Sequence, residues 1–414
     1  MQTEIRSLGA SGEGVGQTSE GKTLFIEGAL PSEEVSYTID IEKKSYAKGK
    51  LLKIIKPSKV RVKPPCPVFD RCGGCQIQHL SYEGQLEVKR QRVLDALQRI
   101  GKIDAQVAPC IPSPTPFHYR NKIQLPHKHG LIGLYQKNSH EIVPIDSCPI
   151  QCEKGNEIFA FLKNKLPPSI KHLLIRNALF TNEALVVFVA QKEEKTLALL
   201  AQELLDHFDE VKGVVLNINP STSNRILGPK FKTLAGSSTI TEKLGTLFFK
   251  LSAPSFFQVN SKQAVNLFEH AVHNIDNDYV IDAFCGVGTL SLFAAKKAKS
   301  VLGIECVKEA IADAKSNAKL NSIENCHFEV GRAEDRPLRC DTLLLNPPRK
   351  GLEPKIFNKI EAKKIVYISC DPATLARDLS YLKQYQIDSI QPFDMFPQTM
   401  HIETVVRMHL KSEV

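Results

Sequence analysis

The stretch Tyr279-Val-Ile-Asp282-Ala-Phe284-Cys-Gly286-Val-Gly288-Thr289 decides how the chain is read. YVIDAF has the composition of a buried strand, CGVGT is a glycine-rich turn, and LSLFAAKKA (290–298) reads as the helix that follows. Glycines at such a turn let the backbone approach a ligand, and Glu305, ending the next strand SVLGIE (300–305), can accept hydrogen bonds from ribose hydroxyls. The third glycine of a dinucleotide-binding turn is missing, which argues against a pyrophosphate ligand. Working outward, a helix at 262–275 precedes the turn, a second helix spans 308–321, and strand runs HFEV, TLLLN and KIVYIS follow. Strands and helices alternating at this spacing predict a doubly wound, Rossmann-like α/β domain with a parallel sheet over residues 251–414.

The preceding chain reads differently. In residues 1–62, TLFIEGAL, EEVSYTIDIE and KGKLLKIIK alternate in part, are punctuated by Gly, Pro-Ser and Lys-Lys, and lack helical periodicity, so about five short strands in a small OB-like β-barrel are expected. Residues 63–250 are assigned to a central α+β domain with strand runs ALVVFVA and GVVLNIN around a helical TLALLAQELLDHF. Within it, residues 83–113 are expected to form a helix and a Pro-rich linker that pack on the 251–414 domain. Leu86, Val93, Leu94, Leu97 and Ile100 mark the helix's apolar face, Lys89, Arg90 and Arg92 lie largely off it, and Gly101 is its expected C-terminal cap.

Composition bounds the class. The 414 residues hold 54 Lys+Arg against 45 Asp+Glu, eleven Cys, no Trp and 42% apolar residues, which excludes disorder, collagen and coiled coil. No uncharged apolar run approaches the roughly 20 residues of a membrane span. MQTEIRSLGASGEG has no apolar signal-peptide core, so the chain is expected in the cytoplasm. The net charge of +9 is localised: Lys43, Lys44, Lys48, Lys50, Lys53, Lys56, Lys59, Arg61 and Lys63 form a stretch without an acid, leaving the rest neutral in sum. With Tyr46 inside it, that stripe is the footprint of a phosphate-backbone binder, against the plainer reading of a solvated edge strand.

The run Asp-x-Phe-Cys-Gly-x-Gly-Thr resembles the S-adenosylmethionine site of class I methyltransferases, whose ligand has ribose and adenine without phosphate. Asn346-Pro347-Pro348-Arg349 after another apolar strand would fix a rigid platform at the cofactor's reactive end. Amino-methylating enzymes carry a similar Asn-Pro-Pro followed by an aromatic residue; Arg349 stands there instead, which leaves base-amine methylation as an alternative. Cys370 ends strand KIVYIS just before Pro372 and a helix, whose N-terminus is expected to favour its thiolate. His401 and Glu403, two apart, share one face if extended. A thiolate and a base beside a methyl donor suit alkylation of a pyrimidine: Cys370 adds to C6, C5 takes the methyl group, and Glu403 removes the C5 proton.

Cys66, Cys72 and Cys75, with Gly73 and Gly74 between the last two, are joined by a distant Cys148 or, in competition, Cys152. Pro149 after Cys148 favours the former. A Cys₄ set of this kind suits an iron–sulfur cluster or zinc about equally.

These features together resemble the RNA uracil-C5 methyltransferase family, in particular its TRAM-domain, iron–sulfur 23S ribosomal RNA members. The resemblance spans the chain through CxxxxxCGGC, FHYRNK (117–122), SFFQVN (255–260), DAFCGVGT, SCDPATLARD and FPQTMHIE. It implies a TRAM-like RNA-binding barrel, a nucleophile at Cys370, a base at Glu403, and cofactor contacts at Gln258, Phe284, Glu305 and Asn346. It also implies [4Fe–4S] ligands Cys66, Cys72, Cys75 and Cys148, and ribosomal rather than transfer RNA as substrate; no membrane partner is expected, and a monomer. The family usually has Asp where Asn346 stands, which keeps an acceptor oxygen but loses the charge. A catalytically impaired RNA-binding or ribosome assembly factor is the alternative this departure raises.

Overall fold

The computed structural model describes residues 1–221 and 223–412 and contains three principal sheets. In the C-terminal sheet the strands run, in spatial order, Cys326–Val330, Ser300–Glu305, Tyr279–Asp282, Leu338–Leu345, Ile360–Ser369, Glu403–Leu410 and Tyr385–Phe393. All are parallel except Glu403–Leu410, which is antiparallel to both neighbours. Leu343, Leu344, Leu345, Ile365 and Ile368 are almost fully buried, as strands covered on both faces require. The strand order reverses beside Tyr279–Asp282, and in such sheets the crevice at the carboxyl ends of the two strands flanking that point receives the ligand.

The central seven-stranded sheet is mixed. Glu183–Ala190 and Val211–Ile218 are parallel, and its other pairings are antiparallel. Helices Glu153–Leu162 and Lys195–His207 cover one face through Ile158, Phe159, Leu162, Leu197 and Leu204. From the other face, Leu174, Leu185, Val187 and Val189 join the hairpin Thr239–Leu244/Leu247–Ser252 and helix Ser261–Ala271 in one core with the C-terminal sheet. The apolar core thus runs across residue 250.

Six strands form the N-terminal sheet, whose edges, Gln2–Glu4 and Ser7–Leu8, are separated in the chain by Ile5 and Arg6 alone. So short a link forces the sheet to roll until its edges approach, and Arg6 N donates to Val15 O at 2.8 Å. Ile5, Leu24, Ile26, Val35, Tyr37 and Ala47 fill the interior. Eight cations of the 43–63 stripe are exposed and, among the described residues, none of the eight makes an ion pair. Arg61 departs from the stripe: its Nε and Nη2 grip buried Glu33 at 2.6 and 2.8 Å.

Helix Tyr82–Ala96 continues into a π-turn at Leu97–Gly101, and Lys102 (φ 53°), not Gly101, takes the left-handed terminal conformation. Gly101 is needed for close approach instead: a Cβ there would lie 2.8 Å from the carbonyl oxygen of Ala376, in helix Pro372–Leu379. Lys89 also departs from expectation, being fully buried and paired with Asp394.

Candidate active site

Register lines up the cofactor candidates. Asp282 pairs with Gly303 on one side and Leu344 on the other, so Phe284, Glu305 and Asn346 each lie two residues beyond one row across three strands. All three, with Gln258, line one cavity of about 1200 Å³ that also contains Cys370, His401 and Glu403. At the turn, Gly286 (φ 53°) has open space where a side chain would project, whereas a Cβ on Gly288 (φ 83°) would meet Phe328 at 2.9 Å. Glu305 spans the turn's mouth, accepting from Val307 N at 3.0 Å and Gly286 N at 3.3 Å. Asp282 is buried and gives one oxygen to the Ser291 hydroxyl at 2.6 Å, while its Oδ1 has no partner.

The thiol and the carboxyl meet through the antiparallel strand. Ser369 pairs with Thr404, so the next step outward sets Cys370 opposite Glu403. Glu403 is 6% exposed, and burial pushes its carboxyl up to about 8 despite the nearby Arg349 cation. Burial also pushes the Cys370 thiol up to about 11; Glu403 adds to the rise and Arg349 opposes it. Where a helix-terminal thiolate is expected, burial keeps a thiol. The helix N-terminus is already occupied, since the Asp371 carboxylate accepts from Ala373 N and Thr374 N, each at 2.9 Å. His401 precedes the strand, is exposed to the cavity and packs edge-on against Phe396 at 5.9 Å.

Segments far away in sequence hold this constellation. Asn121 Nδ2 donates to Gln258 O and Ser261 Oγ, each at 2.9 Å, so FHYRNK fixes SFFQVN. Tyr119 Oη donates to Pro397 O at 3.0 Å, and Asn260 Nδ2 to Met395 O at 3.2 Å. The end of SCDPATLARD serves the platform: Arg377 Nη2 donates to Lys350 O at 2.9 Å, and Asp378 Oδ2 accepts from Leu352 N at 2.8 Å. These bonds anchor the segment that follows Arg349.

The family model described as tRNA (uracil-5-)-methyltransferase matches residues 81–337 and 333–411. The chain belongs to the tRNA (uracil-5-)-methyltransferase family. An RNA methyltransferase of Halalkalibacterium halodurans is 40% identical, with 100% of this chain and 97% of the relative covered. One of Clostridium tetani is 39% identical over 98% and 95%. The tRNA (uracil-54, C5)-methyltransferase of Pyrococcus abyssi, solved with S-adenosyl-L-homocysteine, superposes with a TM-score of 0.80 at 29% identity, covering 99% of this chain and 100% of that one. By class this family member is an RNA (uracil-C5) methyltransferase.

The cysteine set of this uracil-5 methyltransferase lies away from the cavity. Cys66, Cys72, Cys75 and Cys148 are free thiols, and Cys66, Cys72 and Cys148 lie near enough to Cys75 to act on it electrostatically, although burial is the main force raising that thiol to about 12. Cys152 is buried and accepts a hydrogen bond from the Gln151 amide at 3.3 Å. Gly73 N donates to Tyr135 O at 2.9 Å, and Asn156 clasps Cys148 through N–H and C=O at 2.9 and 3.0 Å. Among the described residues no three His, Cys, Asp or Glu side chains close round a point as a single metal ion would require. The described helices include none long and apolar enough to cross a membrane.

Proposed function

We propose that this enzyme methylates C5 of a uridine in RNA, with Cys370 as nucleophile, Glu403 as base and S-adenosylmethionine as donor. The observation that carries the reading is the juxtaposition of a thiol and a buried carboxyl at the edge of a cavity whose other end is the glycine-rich turn. Fit to the cofactor is supported by the open space at Gly286 and the carboxylate of Glu305 at the mouth of the turn, both lining the cavity. Phe284, Glu305, Asn346 and Gln258 would hold it; when bound, it supplies an electrophilic methyl group for C5.

Cys370 Sγ loses its proton to solvent and bonds to C6, and the C5–C6 π pair moves onto C5 and O4. Arg349, the cation that acts on both Cys370 and Glu403, favours the negative charge that develops. Once C5 carries the methyl group, the Glu403 carboxylate takes the C5 proton, the C5–C6 double bond re-forms, and the C6–S bond breaks to return a Cys370 thiolate. The target base must be unstacked to expose C5 and C6 to these groups.

The exposed cations of residues 43–63 would dock RNA phosphates on a TRAM-like barrel spanning 1–62, ahead of a central domain to 250 and the catalytic domain 251–414. Four thiols grouped within electrostatic reach, in the order the sequence resemblance implies, are the donor set a [4Fe–4S] cluster takes; held by Cys66, Cys72, Cys75 and Cys148, it would tie the 66–75 loop to the segment at 148. The sequence resemblance favours 23S ribosomal RNA as substrate, whereas the Pyrococcus neighbour acts on transfer RNA. The enzyme is taken to work in the cytoplasm as a monomer.

The test uses total RNA from a strain lacking the gene, incubated with protein and tritiated-methyl donor. Label in 5-methyluridine of ribosomal RNA is expected; label confined to transfer RNA would favour the second substrate class, and label on adenine or cytosine nitrogen would refute the C5 reading. Cys370→Ala should lose methyl transfer, and Glu403→Gln should trap a protein–RNA adduct that survives denaturation. Full activity in Cys370→Ala, or no adduct in Glu403→Gln, would overturn the mechanism. Robust methylation by the unaltered chain rejects the assembly-factor alternative despite Asn346.

A further inference from the structure

We infer that Lys89 and Gln85, on helix Tyr82–Ala96, are positioning residues for the proton-abstraction half of this reaction. The inference rests on the reading of Glu403 as base. Residues 394–402 connect strand Tyr385–Phe393 to strand Glu403–Leu410, and Phe393 pairs with Glu403. The shape of this turn therefore decides how the Glu403 carboxyl enters the cavity.

The turn is shaped from outside. Lys89 Nζ donates to Asp394 Oδ1 at 2.5 Å and to Phe396 O at 3.0 Å, with both charged side chains fully buried. Gln85 and Gln398 form a reciprocal pair: Gln85 Nε2 donates to Gln398 Oε1 at 3.0 Å, and Gln398 N to Gln85 Oε1 at 2.9 Å. Gln398 has φ 71°, a left-handed conformation that a non-glycine residue holds only when its surroundings over-determine it. Those surroundings include Gln76 N and Ile77 N, which both donate to Gln398 O at 3.1 Å from the residues immediately after Cys75. The cysteine loop and the helix thus grip the turn together.

A buried ion pair is weak evidence for stability, because well-packed apolar residues often replace it at no cost; its best-attested use is to select one arrangement. Lys89 and Asp394 lie 305 residues apart in the chain and bring together a helix outside the catalytic sheet and the turn leading to Glu403. Displacing a reacting group by about 1 Å costs on the order of 100-fold in rate, so a turn that relaxes would slow proton removal while leaving the distant cofactor end of the cavity intact.

The test is the double variant Lys89→Met/Asp394→Leu in the full chain, which removes the pair without stranding a charge. With tritiated-methyl donor and total RNA from the deletion strain, kcat should fall about 10- to 100-fold with KM for the donor unchanged. A denaturation-resistant protein–RNA adduct should accumulate, as in Glu403→Gln. Wild-type kcat without adduct, or lost activity with a raised donor KM and no adduct, overturns the inference. If the double variant is insoluble, Gln85→Met decides by the same readouts. Failure of Glu403→Gln to trap adduct would instead sink the reading of the base itself; adduct in Glu403→Gln but in neither variant removes the positioning role alone.

Discussion

Two glycines of one turn should fail in opposite ways when each becomes alanine. Gly288 caps helix Thr289–Ala295 at φ 83°, and a Cβ there would lie 2.9 Å from Phe328 and 3.1 Å from Ala314. The left-handed backbone costs an L-residue about 1–2 kcal/mol. Overpacking adds about 1–3 kcal/mol, since the neighbours are a buried ring and a helix wall. The sum of about 2–5 kcal/mol, at roughly 2–4 °C per kcal/mol for a domain of this size, lowers Tm by about 4–20 °C. Gly286 has φ 53° and no atom within reach of a Cβ, so its alanine variant bears the backbone cost of about 1–2 kcal/mol alone and should melt about 2–8 °C below wild type. The empty space beside it belongs to the ligand cavity, and a methyl group intruding there should weaken S-adenosylmethionine binding about 5- to 150-fold. Thermal melts and calorimetric titration of the cofactor separate the two. Unchanged melting of Gly288→Ala, or unchanged affinity in Gly286→Ala, would refute the reasoning.

Glu403 should act as base only when ionised, so with its carboxyl raised to about 8, turnover should climb from pH 6.5 to 9; a flat profile would contradict the assignment. The same shift bears on stability. A carboxyl whose folded value is raised favours the fold below the ordinary value of 4.5 and loses that contribution as pH rises through about 8, so Glu403→Gln should melt higher than wild type at pH 9 and alike at pH 4.5. Lys48→Gln/Lys50→Gln/Lys53→Gln should leave Tm unchanged and reduce the salt dependence of RNA binding, by about 0.7 per lost phosphate contact in the log–log slope if the bound strand is single. Arg61→Met should do the reverse, destabilising the N-terminal sheet by about 1–3 kcal/mol because buried Glu33 keeps only its bonds from Leu30 N and Ser58 N, with little change in salt slope.

The parallel sheet, its glycine turn and the row Phe284–Glu305–Asn346 were legible because their signals are local: apolar runs of strand length, a Gly-x-Gly and a carboxylate one strand later. The insertion of Glu403–Leu410 between Ile360–Ser369 and Tyr385–Phe393 was not legible, because register between non-adjacent strands leaves no local trace. That insertion is what sets Glu403 against Cys370. Lys89 was placed off the apolar face because a lysine is read as solvent-seeking; only its partner, 305 residues away, allows it inside. Arg61 was counted with the basic stripe for the same reason, and Glu33 withdraws it. Gly101 carried a real signal with the wrong cause, close helix approach in place of a left-handed cap.

On the proposed mechanism, keeping Cys370 as a thiol has a particular value in this cavity. The methyl group of a sulfonium donor is open to attack by any thiolate beside it, so a Cys370 that were ionised at rest would be methylated without RNA. Burial, the larger cause, holds the thiol up at about 11, which at pH 7 leaves on the order of one molecule in ten thousand as thiolate. The cost is a slower addition to C6, which Arg349 offsets in part by favouring both anions. Incubation with S-adenosylmethionine alone should therefore leave Cys370 unmodified by mass spectrometry near neutral pH, with S-methylation growing about tenfold per pH unit towards 10. Rapid S-methylation at pH 7 without RNA would show that the thiol is not protected, and the raised value would then not describe the cofactor-bound site.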